Sequence, residues 1–152
     1  MATKRAKKPT AEAVDKKGKD FLTEGEMKRL LDAAKGGRYG QRDHLMLLMT
    51  YRHGLRVSEL IDLRLKDIDL DTSRLFVRRK KGSLSRHQPI EGDELRGLRA
   101  WLRERSLRAD ARSPYLFLSE RGPFTRQAIN YIVMSAGERA LLHKRSRRRY
   151  VC

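Results

Sequence analysis

An apolar helix that runs directly into Gly54-Leu55-Arg56 constrains this chain more than any other feature. Leu45, Leu47, Leu48, Met49 and Tyr51 fall within residues 39–53 and leave that segment apolar over most of its circumference, so the spacing predicts a helix at the centre of a core. Gly54 supplies a residue that adopts the left-handed conformation and closes the helix. Beyond Arg56, the residues Val57, Leu60, Ile61 and Leu63 resume an apolar helical face. The backbone therefore turns at one point and presents Arg56 near a new helix N-terminus, where anions are favoured. An arginine fork at such a point suits the two non-bridging oxygens of a phosphodiester. Glu59, one turn on, is placed to orient that guanidinium. A surface Arg–Glu pair beside an ordinary helix joint is the alternative that the spacing alone leaves open.

The segments around this joint are patterned as helices with one interruption. Thr23 and Glu26 form a capping box, and Met27, Leu30, Leu31 and Ala34 recur at helical spacing, which predicts a first helix over 24–35 stopped by Gly36 and Gly37. The run Lys66-Asp67-Ile68-Asp69 reads as a loop. The period then changes: Leu75, Phe76 and Val77 are strand formers, residues 78–86 are polar around Gly82, and Gln88-Pro89-Ile90 reads as a return strand. The result is a β-hairpin with a strongly basic tip carrying Arg78, Arg79, Lys80, Lys81 and Arg86. Gly92 and Asp93 open another helix with Leu95, Leu98, Trp101 and Leu102 on one face, and Trp101 reads as a core anchor. Residues 114–118 form a short extended segment, and Thr125 caps a last helix bearing Ile129, Ile132, Val133 and Leu141. His44 and His53 read as packing or helix-end histidines. The fold class is mainly α with a small β-hairpin or sheet.

Charge narrows the partner. A formal net charge of +17, with basic residues spread along the chain, makes a nucleic acid the expected ligand. Residues 1–20 hold seven Lys/Arg against three acids and almost no large apolar side chains, so they are expected to be a disordered basic arm. The single cysteine, Cys152, cannot form an internal disulfide, and the Cys/His spacing of a zinc site is absent. No apolar run approaches membrane-spanning length, and the basic start is not followed by an apolar signal region. A cytoplasmic, nucleoid-associated protein without membrane contact is the reading that follows.

GLRVSEL after an apolar helix, then a loop with Asp67 and Asp69, then a hairpin with Lys-Gly near its tip, together resemble the catalytic domain of the tyrosine recombinases, the phage-integrase family. The resemblance covers roughly residues 20–140 and is similar to the short, fimbrial-inversion-like members, which lack a separate N-terminal core-binding domain. It implies the fold of the DNA breaking-rejoining enzymes. By resemblance Arg56 corresponds to the first catalytic arginine, Glu59 to the acidic residue of the same box, and Lys81, before Gly82, to the hairpin lysine, with Lys80 as the adjacent fallback. Arg78, Arg79, Lys80, Lys81 and Arg86 are the expected DNA contacts. The family attacks a phosphodiester with a tyrosine hydroxyl and stores the bond as a 3′-phosphotyrosine. Neither a metal nor a nucleotide cofactor is implied, nor is a small-molecule substrate. The implied partners are double-stranded DNA and other recombinase protomers. Arginine would stabilise the transition-state charge, and the hairpin lysine would protonate the 5′ oxygen of the leaving strand.

The chain departs from the family pattern near its end. His143-Lys144-Arg145-Ser146 places serine where a His-x-x-Arg box needs arginine, and Tyr150 lies in an arginine-rich run without helical period. The sequence thus predicts a partial catalytic domain over 21–142 and a basic aberrant tail over 143–152, as in a truncated or frame-shifted recombinase that binds DNA without completing cleavage alone. A DNA-binding accessory or regulator of recombination without chemistry is the alternative. An RNA-associated protein is disfavoured because no aromatic stacking platform is visible.

Overall fold

In the computed structural model, which describes residues 22–79 and 84–141, five helices enclose one hydrophobic core beside a small antiparallel sheet. Helix α1 (Glu24–Ala34) begins at the expected capping box: Thr23 Oγ1 accepts from the Glu26 N–H, and Glu26 returns a bond to the Thr23 N–H. Helix α2 (Gly40–His53) is the central element, with Leu45, Met46 and Met49 almost wholly buried. Its start sits so tightly on the end of α1 that a Cβ at Gly40 would lie 2.0 Å from the Lys35 carbonyl oxygen, so only glycine fits. Gly54 ends the helix in the left-handed region, at φ 60°, as the sequence predicts. Helix α3 (Val57–Asp62) then leads through a short 3-10 turn, Leu65–Asp67, into the sheet.

Three strands form that sheet in the order β1 (Ile68–Asp69), β2 (Arg74–Val77) and β3 (Arg86–Pro89), all antiparallel. The expected hairpin is β2–β3, with Leu75 opposite Gln88 and Val77 opposite Arg86. Strand β1 replaces what reads in the sequence as loop: Ile68 pairs with Leu75 and Asp69 with Arg74. A two-residue strand offers too short a run for period-two alternation to register. Along β2, Leu75 and Val77 are buried while Arg74 and Phe76 face outward.

Helix α4 (Gly92–Ser106) packs on α2 and buries Leu98 and Trp101, whose indole Nε1–H donates to Leu116 O at 2.9 Å. A second, two-stranded ladder, β4 (Leu118–Ser119) with β5 (Gly122–Pro123), follows the extended segment. Thr125 caps α5 (Arg126–Arg139), accepting from the Ala128 N–H, and Ile129, Ile132 and Val133 seal the helix against α1 and α3. Leu141 departs from expectation. It lies past the helix end at φ 59° and is 70% exposed, because Ala140 has already ended the helical ladder that would have turned it inward. Among the described residues no helix is long and apolar enough to cross a membrane.

Candidate functional site

The joint at Gly54 presents Arg56 as its sequence position suggests. Arg56 is exposed, sits just ahead of α3 in extended conformation, and its guanidinium has no hydrogen-bond or ion-pair partner among the described residues. Only its backbone is tied down, the N–H donating to Glu59 Oε2 at 3.0 Å. Glu59 therefore does something other than orient the Arg56 guanidinium. Its side chain is 2% exposed, and the same Oε2 takes Nη1 of Arg79 at 2.9 Å. The spacing held the signal: Glu59 follows Arg56 as Glu26 follows Thr23, so a cap on a backbone N–H is its natural task.

The same device recurs eight residues on, at the 3-10 turn. Asp67 Oδ2 accepts the Arg64 N–H at 3.0 Å, and its carboxylate is held by Arg78, with Nη1 to Oδ2 at 3.1 Å and Nη2 to Oδ1 at 2.7 Å. Two consecutive arginines thus anchor the base of the hairpin to two consecutive turns. Strand alternation explains their divergence: Arg79 shares the inward parity of Leu75 and Val77, Arg78 the outward parity of Phe76. Of the five basic hairpin residues expected to meet DNA, Arg78 and Arg79 are engaged by acids of the protein itself. Arg86 is exposed on β3, whereas Lys80 and Lys81 lie outside the described residues.

Behind the joint is a buried charge cluster that the sequence does not announce. His53, the last residue of α2, places Nε2 2.7 Å from Glu94 Oε1 and Nδ1 2.7 Å from Gln88 Oε1. Its side chain is 4% exposed and that of Glu94 0%. Burial disfavours the imidazolium, but the hydrogen bonds to Glu94 and Gln88 outweigh it and raise the His53 pKa above the ordinary value. Burial likewise opposes ionisation of Glu94, yet the bonds from His53 and from the Glu91 N–H hold its pKa below the ordinary value. Arg52 completes the cluster, bonded through both terminal nitrogens to Asp93 and lying 3.5 Å from Glu94 Oε2. His53 is therefore a helix-end histidine, one of the two roles its position suggests, and its ring bonds link α2 to β3 and α4. Its partners are 35 and 41 residues away, beyond the reach of local pattern. His44 keeps the modest role expected of it, with Nδ1 2.8 Å from Leu31 O. Among the described residues, no group of three or more His, Cys, Asp or Glu is placed to hold a metal ion.

What this arrangement can do follows from its parts. Among the described residues the Arg56 side chain is left free to meet an anion, its backbone bonded to Glu59, while His53 and Arg52 brace the helix behind it.

Comparison with known proteins points in one direction. Residues 20–148 match the model of the phage integrase family. The chain is 35% identical over 127 residues to the type 1 fimbriae regulatory protein FimB of Escherichia coli K12, an alignment that covers 83% of this chain and 64% of FimB. It thus spans slightly less than two thirds of that relative. In structure it is similar to the XerA recombinase, with a TM-score of 0.69 and 28% identity over 85% of this chain and 46% of XerA. The XerH site-specific recombinase bound to its difH substrate shares the fold at a TM-score of 0.70 and 20% identity, over 88% of this chain and 39% of XerH.

Proposed function

The chain belongs to the phage integrase family, the tyrosine recombinases, and from that premise we propose that it binds duplex DNA through the joint, with Arg56 gripping a phosphodiester. The observation that carries this reading is the contrast at the joint, where His53, Glu59 and Arg79 have internal partners and the Arg56 guanidinium has none among the described residues. The net charge of +17 supports it, as does the likeness to XerH, whose structure holds its difH substrate. Lys81, between β2 and β3 in the sequence, would act as the proton donor to the leaving 5′ oxygen, and Arg86 would add a phosphate contact. Other recombinase protomers would be its protein partners.

Catalysis needs more than a clamp and a donor. Within this sequence the His-x-x-Arg spacing from His143 meets Ser146, and Tyr150 follows only seven residues after that histidine. Groups that act as a unit lose nearly all their effect when several are missing. By themselves these 152 residues would accordingly bind a recombination site without breaking it. A nicked suicide duplex that traps phosphotyrosine tests this: no covalent adduct is expected from the purified chain. An adduct that disappears in Tyr150→Phe would overturn the non-cleaving assignment and make Tyr150 the nucleophile.

A further inference from the structure

Arg79 differs from the other basic hairpin residues in where its hydrogen bonds end. Nη1 donates to Gly54 O at 2.9 Å and to Glu59 Oε2 at 2.9 Å, and Nη2 donates to His53 O at 2.7 Å. These three acceptors are the last carbonyl of α2, the left-handed glycine that ends it, and the carboxylate that caps the Arg56 N–H. A single guanidinium thus closes the C-terminal end of α2, neutralises a carboxylate that is 2% exposed, and ties both to the end of strand β2. Its donors are directed inward and its side chain is 20% exposed, an arrangement suited to holding the protein rather than a ligand.

We infer that Arg79 is a positioning residue that fixes the backbone of Arg56 and ties the end of β2 to it, acting on DNA only through Arg56. The inference rests on the DNA-binding reading above for its consequence, though its structural half stands apart from DNA. The planar fork is essential to the role. Three acceptors on three different residues are reached at once by the fixed geometry of a guanidinium, whereas a lysine ammonium on the same backbone is a single point charge. The swap Arg79→Lys therefore separates two roles that removal of the charge would confound. It preserves the net charge, and so any long-range attraction for DNA, and leaves a cation near the buried Glu59.

Two readouts test the proposal on the full chain. In the free protein, Arg79→Lys should speed exchange of the Arg56 amide hydrogen about tenfold, with the amides of the α4 interior unchanged. On duplex DNA, the swap should weaken binding about tenfold, whereas in an Arg56→Ala background it should change affinity by less than about twofold, because the residue it positions is gone. An unchanged Arg56 amide, or the same loss of affinity in both backgrounds, would overturn the inference, the latter by making Arg79 a DNA contact in its own right. Should Arg79→Lys fail to fold, Arg79→Gln, which keeps Glu59 and its bond to the Arg56 N–H, is judged by the same readouts. Absence of duplex binding by the unmodified chain would overturn the DNA-binding reading alone, since the exchange measurement still decides whether Arg79 fixes Arg56.

Discussion

Arg105 and Arg56 stand at opposite ends of how this chain uses arginine. Arg105 is 3% exposed in the last turn of α4, and its guanidinium donates to the carbonyls of Ala111, Ser113, Tyr115 and Leu116, sewing the following loop to the helix. Arg42 is used in the same way, paired with Asp43, bonded to Leu118 O at 3.1 Å and packed 4.4 Å from the Tyr39 ring and 4.8 Å from the Phe124 ring. Arg56 is exposed and, among the described residues, bonded only through its backbone. A strongly basic composition therefore divides into arginines that hold loops without regular structure and arginines left for an anionic partner. The division cannot be made by counting charges. It depends on whether carbonyls or carboxylates of the protein converge on each side chain.

The largest expected effect lies on the buried side of this comparison. Arg105→Met removes this donor from the carbonyls of Ala111, Ser113 and Tyr115, Leu116 O keeping its bond from Trp101, and such unsatisfied groups cost about 1–3 kcal/mol each before relaxation, so a loss of about 3–5 kcal/mol in unfolding free energy is expected. A loss below about 1 kcal/mol by denaturant titration would show that water replaces Arg105 easily and that the buried arginines are not structural in this sense. Next comes the joint. Gly54→Val forces a β-branched residue to φ 60° and should cost about 1–3 kcal/mol. A neutral result in the same titration would mean that the turn relaxes and Arg56 is not rigidly presented.

A smaller effect, in pH, sharpens the contrast between the free arginine and the charges braced behind it. His53 has a folded pKa raised above the ordinary 6.5, so its contribution is complete below that value and is lost as pH rises through the raised one. Glu94 has a folded pKa depressed below the ordinary 4.5, so its contribution is present above that value and is lost as pH falls through the depressed one. The pair should support the fold fully between about 4.5 and 6.5 and less on either side. In His53→Gln, the decline of thermal stability on the alkaline side should flatten. An identical alkaline decline in the variant would contradict a stabilising bond between His53 and Glu94.

These effects also mark which parts of the molecule the sequence discloses. The helices, Gly54 and the caps at Thr23 and Thr125 are local facts, encoded in period and in the residue types that helix ends demand. The strands β1, β4 and β5 hold two residues each and arise only because a partner is brought beside them. The site divides along the same line. Arg56 is legible because its setting is a turn and a cap. The true occupation of Glu59, Asp67 and Glu94 depends on Arg79, Arg78 and His53, which reach them from other elements. Even so, alternation along β2 and the three-residue spacing of Glu59 and Asp67 from Arg56 and Arg64 carried part of that answer.

The smallest effect on the fold coincides with the sharpest test of function. Arg56→Ala touches no internal bond of the guanidinium among the described residues, so its effect on stability should stay within about 0.5 kcal/mol. The decisive measurement is duplex-DNA affinity of the unmodified chain and of Arg56→Ala across a range of salt concentrations. Loss of one phosphate contact should lower affinity and reduce the slope of log affinity against log salt by about 0.9, at unchanged melting temperature. Equal affinity and equal slope in the two proteins would show that the free arginine of the joint does not hold a phosphate.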